Sequence, residues 1–180
     1  AVWGRDLAGL KGSMRRITGS FVAASLALAG SGAVLGLAWG GPPGEVGTRL
    51  SLWTDEVVLY GRGLYRHDTP FVAGAAQGAN MVTLVLTLPA ALWAGLRRRH
   101  RPGAAPLVML GAVVWALYAN AGFALGTMAY GPLFLLHVGA MAVSGTAVAL
   151  LGREIVVRLP ETERGDGVTA AFLLFSGLAT

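Results

Sequence analysis

The sequence predicts an all-α, polytopic transmembrane helical bundle, and three observations carry that expectation. Apolar residues make up 54% of the 180 positions and charged residues only 13%, against about 25% charged in an average globular chain. Mean hydropathy is +0.61. Four uncharged runs reach the roughly 20 residues that a helix needs to cross a bilayer core.

The first run, residues 17–39, is 23 residues long, which is roughly 35 Å of helix at 1.5 Å per residue. Arg5, Lys11, Arg15 and Arg16 precede it. A secretory signal has an apolar core of only about 7–15 residues, so this run predicts a retained anchor helix. "GGPPGEVG" at 40–47 ends it, because Gly and Pro stop helices and favour turns. In the loop 40–69, Leu52, Trp53, Val57, Tyr60 and Leu64 recur at helix-like spacing with charges between them. That pattern predicts a short amphipathic helix at the membrane surface, where Trp and Tyr prefer to sit.

The second run, 70–96, opens on Pro70, which suits a first helical turn, and contains Pro89, which predicts a kink. "RRRHRPGAAP" closes it. The third run, 107–128, meets the fourth, 133–151, through the short turn "AYGP", so these two helices are expected to be antiparallel neighbours. Residues 152–167 read as a polar connector, and the start of a fifth span is expected from residue 168. Residues 1–180 form one bundle on this reading, as the N-terminal part of a longer protein. With the N-terminus cytoplasmic, that side holds Arg5, Lys11, Arg15, Arg16, Arg97, Arg98, Arg99, Arg101, Arg153, Arg158 and Arg164, and the other side Arg49, Arg62 and Arg66. The positive-inside rule selects this orientation. Arg supplies 13 of the 14 basic residues, and Ala and Gly are abundant, a bias of GC-rich bacterial genomes. The expected location is therefore the bacterial plasma (inner) membrane.

Composition also excludes chemistry. Without cysteine there are no disulfides, thiolate metal sites or dithiol redox centres. The net charge of +5 sits at the ends of apolar runs, where topology explains it, so no nucleic-acid partner is expected. His67, His100 and His137 fall at three different depths, which excludes bis-histidine haem; no cofactor and no metal site are expected. The chain has no G-x-S-x-G, H-E-x-x-H, P-loop or dinucleotide fingerprint. The four runs carry no Asp, Glu, Lys or Arg, which weighs against proton-coupled transport.

Polar residues within the runs are the candidate site. Gln77, Asn80, Thr83 and Thr87 fall within an arc of about 120° on a helix. Asn120 and Thr127 share a face of the third helix, and His137 and Ser144 a face of the fourth. Such residues mark either interhelical hydrogen bonds or a polar cavity lined by Gln77, Asn80, Thr83, Asn120, His137 and Ser144. Outside the runs, Asp55, Glu56, Arg62, Arg66, His67 and Asp68 form a charged cluster whose spacing matches no metal-ligand motif. Arg66 and Asp68 are expected to pair, or to cap the second helix. Gly32, Gly36 and Gly40, then Gly74 and Gly78, then Gly122 and Gly126, are spaced for tight helix contact.

The segment "GLYRHD" at 63–68, then Gln77 and Pro89 in one helix and "PLFLLHVGAMAVSGTAVALL" in the fourth, resembles a family of uncharacterised bacterial multi-pass membrane proteins. That family carries a G-L-Y-[RK]-x-D segment before its second helix. The resemblance covers residues 59 to about 151 and implies architecture only: a larger bundle with this chain at its N-terminal part. Asn80 stands where the family pattern has an Asp, and His137 where it has a Tyr.

Three functional classes remain open. The first is binding or transport of a small molecule or lipid through the polar cavity. The second is a non-catalytic scaffold or assembly subunit with membrane protein partners. The third is a membrane enzyme using the outer acids and His67. The lipid bilayer is the partner common to all three.

Overall fold

The computed structural model describes residues 2–39, 47–50, 56–97, 104–127 and 131–158. Its helices are α1 (Val2–Ala38), α2 (Pro70–Val82), α3 (Leu88–Arg97), α4 (Ala104–Gly122) and α5 (Phe134–Arg158). A π-helical turn, Thr83–Thr87, joins α2 to α3, and another, Phe123–Thr127, ends α4. Four helical segments are long and apolar enough to span a membrane: Gly12–Ala38, Pro70–Arg97, Ala104–Gly126 and Phe134–Val157. They are called spans one to four below. The expected fifth span lies outside the described residues.

Two helices run past the apolar runs that announced them. α1 begins at Val2, not near residue 17, and α5 continues to Arg158, past residue 151. The stretch Gly152–Arg158, expected as a connector, is therefore helix. Helical hydrogen bonding needs no apolar surroundings once the helix is nucleated, so polar turns extend a span at little cost.

The spans form a closed ring. Span one packs on spans two and four, and α4 packs on α3 and α5. Neighbours are antiparallel. Near one end, Val22 of α1 clusters with Val113 of α4 and Leu151 of α5. Near the other, Tyr65 and Ala73 cluster with Phe123 and Leu133. This second end, which carries the loop before α2, is called the loop end; the first is the basic end. The core is built mostly of alanine, with Ala73, Ala112, Ala116, Ala140 and Ala147 buried. In lipid no hydrophobic drive separates helix from solvent, so close backbone approach and van der Waals packing hold such a ring together.

A π turn stands just before Pro89, where the sequence predicts a kink. Pro89 has no N–H to give the carbonyl four residues back. The chain widens instead: Leu88 N donates to Thr83 O, five residues back, and the Thr87 hydroxyl donates to Val82 O at 3.3 Å. The extra residue turns the buried face by roughly 100°. α2 thus packs on α1 while α3 packs on α4.

The loop does not form the expected amphipathic helix. Thr48–Leu50 (β1) and Glu56–Val58 (β2) pair as antiparallel strands, with Arg49 opposite Val57. Leu52 and Trp53 lie outside the described residues. β-branched Val57 and Val58 favour a strand, and Gly61 and Gly63 adopt φ of 71° and 58°, which a continuous right-handed α-helix does not pass through. A short 3₁₀ turn, Gly63–Tyr65, follows. Arg62 is extended, so it shares no helical face with Arg66.

Tight glycine contact occurs in span one. A Cβ on Gly32 would stand 3.1 Å from His137 Cε1, and one on Gly36 would collide with Asn80 and Tyr65. Gly74, Gly78, Gly122 and Gly126 face open space, contrary to the expected packing role, and Gly40 lies outside the described residues.

Candidate functional site

Residues 60–69 fold back on themselves at the loop end. Tyr60 N donates to Asp68 O at 2.7 Å, Gly61 N to Arg66 O at 3.2 Å and Asp68 N to Tyr65 O at 3.0 Å. The paired glycines allow that reversal. Thr69, not Asp68, caps α2: its hydroxyl accepts from Val72 N at 3.3 Å. Arg66 does not pair with Asp68 either; its Nε donates to His67 Nε2 at 3.0 Å. Burial alone pushes the Asp68 carboxyl up to about 6.

The reversal aims two tyrosines down into the ring. Asn80 Nδ2 donates to the Tyr65 hydroxyl at 2.6 Å, and Gln77 Nε2 donates to the Tyr60 hydroxyl at 3.2 Å. Burial raises the Tyr65 phenol above its usual range, the Asn80 bond pulls it back, and the Asp68 charge adds to the rise. The Tyr65 phenol therefore meets the Asn80 amide as a neutral group. Gly36 on α1 lies directly opposite the Tyr65–Asn80 contact, where any side chain would displace it.

One layer across, His137 Nδ1 bonds Asn120 Oδ1 at 2.8 Å. Asn120 Nδ2 donates to Ala116 O at 2.8 Å, which fixes the amide so that Oδ1 faces the imidazole. An amide oxygen only accepts, so Nδ1 carries the proton and Nε2 keeps its lone pair. Phe123 packs on the imidazole with ring centroids 4.9 Å apart. Asn80, Asn120 and His137 are 2–3% exposed.

The structure therefore gathers Gln77, Asn80, Asn120 and His137 at the loop end. It places Thr83 and Ser144 elsewhere. The Thr83 hydroxyl donates to Ala79 O at 2.9 Å and accepts from Trp115 Nε1 at 3.0 Å, tying span two to span three. Ser144 meets Ser25 at 2.7 Å, tying span one to span four. Of the charged cluster, Arg66, His67 and Asp68 lie in the reversal, and Glu56 lies in β2. Arg62 precedes the 3₁₀ turn, and Asp55 is outside the described residues. Among the described residues no group of three His, Asp or Glu side chains is placed to hold a metal ion.

Tyr60, Tyr65, Gly36, Ser25 and Trp115 belong to these contacts and were not anticipated as partners. Trp115 carried a usable signal, since an indole N–H inside a bilayer requires an acceptor. The cavities at the described surface are apolar: one of about 730 Å³ lies between spans one and two around Leu26, Val34 and Leu88. Another, of about 550 Å³, lies between spans two and three around Phe71, Ala79 and Leu125. No family model, no curated protein and no solved structure matches the chain.

Proposed function

We propose that this multi-pass membrane protein binds a small polar molecule or a lipid headgroup at its loop end, beneath a lid made by residues 60–69. The observation that carries this reading is the pair of phenol–amide bonds. Tyr60 and Tyr65 cover Gln77 and Asn80 through one hydrogen bond each. Each neutral hydrogen bond contributes about 0.5–1.5 kcal/mol net, and the buried Leu64 and Tyr65 side chains add their packing to what holds the lid down. Lifting it frees two amides next to the His137–Asn120 pair. The π turns that follow Asn80 and Asn120 by three residues support the reading, since such turns occur frequently at functional sites. The arginine asymmetry between the two ends supports a loop end on the extracytoplasmic face of a bacterial inner membrane.

Native mass spectrometry of the gently purified full-length protein tests it, with Asn80→Leu and Tyr65→Phe alongside. The expected result is a small bound species that Asn80→Leu loses and Tyr65→Phe exchanges faster. Absence of any bound species beyond bulk lipid in the wild type would remove the reading.

A second reading, a scaffold subunit, is favoured by one observation. No nitrogen or oxygen of this cluster is both fully buried and without a hydrogen-bond partner among the described residues. On that reading the bonds exist to fix the ring, and Asn80→Leu leaves function intact once folding is preserved.

A further inference from the structure

At the basic end, far from the lid, all four spans converge on a cavity of about 240 Å³. It is lined by Thr18, Gly19, Val22 and Leu26 of α1, Ala94 of α3, Ala105 and Met109 of α4, and Leu151 of α5. It is partly enclosed, open on the side of exposed Ala23, and small side chains make the room.

Its chemistry selects the occupant. The lining has one hydroxyl, on Thr18, and that hydroxyl already donates to Met14 O at 3.0 Å. A buried water needs two to four polar partners. An apolar cavity of about 150 Å³ stays dry and takes up benzene, so this larger one is suited to hydrocarbon.

The mouth is charged. Arg15, Thr18, Gly19 and Val22 follow the spacing i, i+3, i+4, i+7, so Arg15 stands one turn above the cavity on the face that lines it. Arg97 stands one turn above Ala94 by the same rule and is the last residue of span two. Both are exposed. Neither guanidinium takes part in an ion pair among the described residues. Glu154, one turn beyond Leu151, has both carboxylate oxygens withdrawn from solvent.

We propose that this end binds an anionic phospholipid of the surrounding leaflet, with one acyl chain in the cavity and the phosphate between Arg15 and Arg97. A guanidinium offers paired N–H donors that match phosphate oxygens. Basic pockets between spans hold anionic headgroups in this way. An apolar solute alone would leave the two arginines unused, and free phosphate would leave the cavity empty. The site is independent of the lid and does not rest on the reading given to it.

The test is native mass spectrometry of the full-length protein titrated with phosphatidylglycerol or with phosphatidylcholine carrying the same chains. The wild type is expected to retain phosphatidylglycerol at least tenfold more strongly. In Arg15→Gln/Arg97→Gln that preference falls to within twofold. Gly19→Leu fills the cavity, and a Cβ there meets nothing within 4 Å, so the variant is expected to fold and to lose retention of both lipids. Equal retention of the two lipids by the wild type would overturn the proposal, and so would a melted-normally Gly19→Leu that keeps the wild-type adduct.

Discussion

The loop end and the basic end of the same ring are held in different ways. At the loop end, amides, phenols and an imidazole meet in pairs, and one glycine, Gly36, makes room for a polar contact. At the basic end Val22, Val113, Ala147 and Leu151 pack without a polar bond between them, and Val22 and Leu151 also line a void. Hydrogen bonds are directional and tolerate little displacement, whereas apolar packing can leave a gap that a lipid chain completes. The loop end is thus specified by geometry and the basic end by volume.

Glycine gives the largest expected contrast. Gly36→Ala drives a methyl group into Asn80 and Tyr65 and is expected to cost about 1–3 kcal/mol. Gly19→Ala at the basic end meets nothing and is expected to cost none of that. Thermal unfolding of both variants in one detergent measures the difference; equal losses would erase the distinction between the two ends. Next, Val113→Ala removes a fully buried side chain from the apolar cluster and is expected to cost about 1–2 kcal/mol through lost packing. Added phosphatidylglycerol is expected to restore part of that melting temperature, but none of the loss in Gly36→Ala.

Between the two ends, the Ser25–Ser144 bond sets the scale of an ordinary polar tie. A double-mutant cycle with Ser25→Ala and Ser144→Ala is expected to give a coupling of about 0.6 kcal/mol. The smallest effect is in the lid and depends on pH. The folded Asp68 carboxyl titrates near 6 against a reference of 3.8, so the folded chain holds its proton more tightly than the unfolded chain. The resulting stabilisation is complete below about 3.8 and is lost as pH rises through about 6. Hydrogen exchange of the 60–69 amides, corrected for intrinsic rates, is expected to slow as pH falls from 7 to 5. Asp68→Asn is expected to abolish that dependence.

The four spans were legible in the sequence because an uncharged run of about 20 residues has few alternatives to a membrane helix. Their ends were not, because Val2–Arg16 and Gly152–Arg158 are helical without being apolar. The loop was misread because a 3.6-residue period counted over Leu52–Leu64 gave no weight to Gly61 and Gly63, whose positive φ ends any continuous right-handed α-helix there. At the site, Gln77, Asn80, Asn120 and His137 stood out as polar residues in apolar runs. Their partners did not, because Tyr60 and Tyr65 reach them only after a chain reversal, and Gly36 bears no side chain that could signal its neighbour.

The turn at Thr83–Thr87 places a counting constraint on span two. Val85 and Leu86 within it point outward, 76% and 65% exposed, so their identity matters little provided they stay lipophilic. Their number matters a great deal. Removing either would rewind the helix by one residue and leave Asn80 facing Tyr65 or Ala94 facing α4, but not both. Positions 85 and 86 should therefore accept almost any apolar exchange, and the turn no insertion or deletion, a tolerance for spelling without tolerance for length.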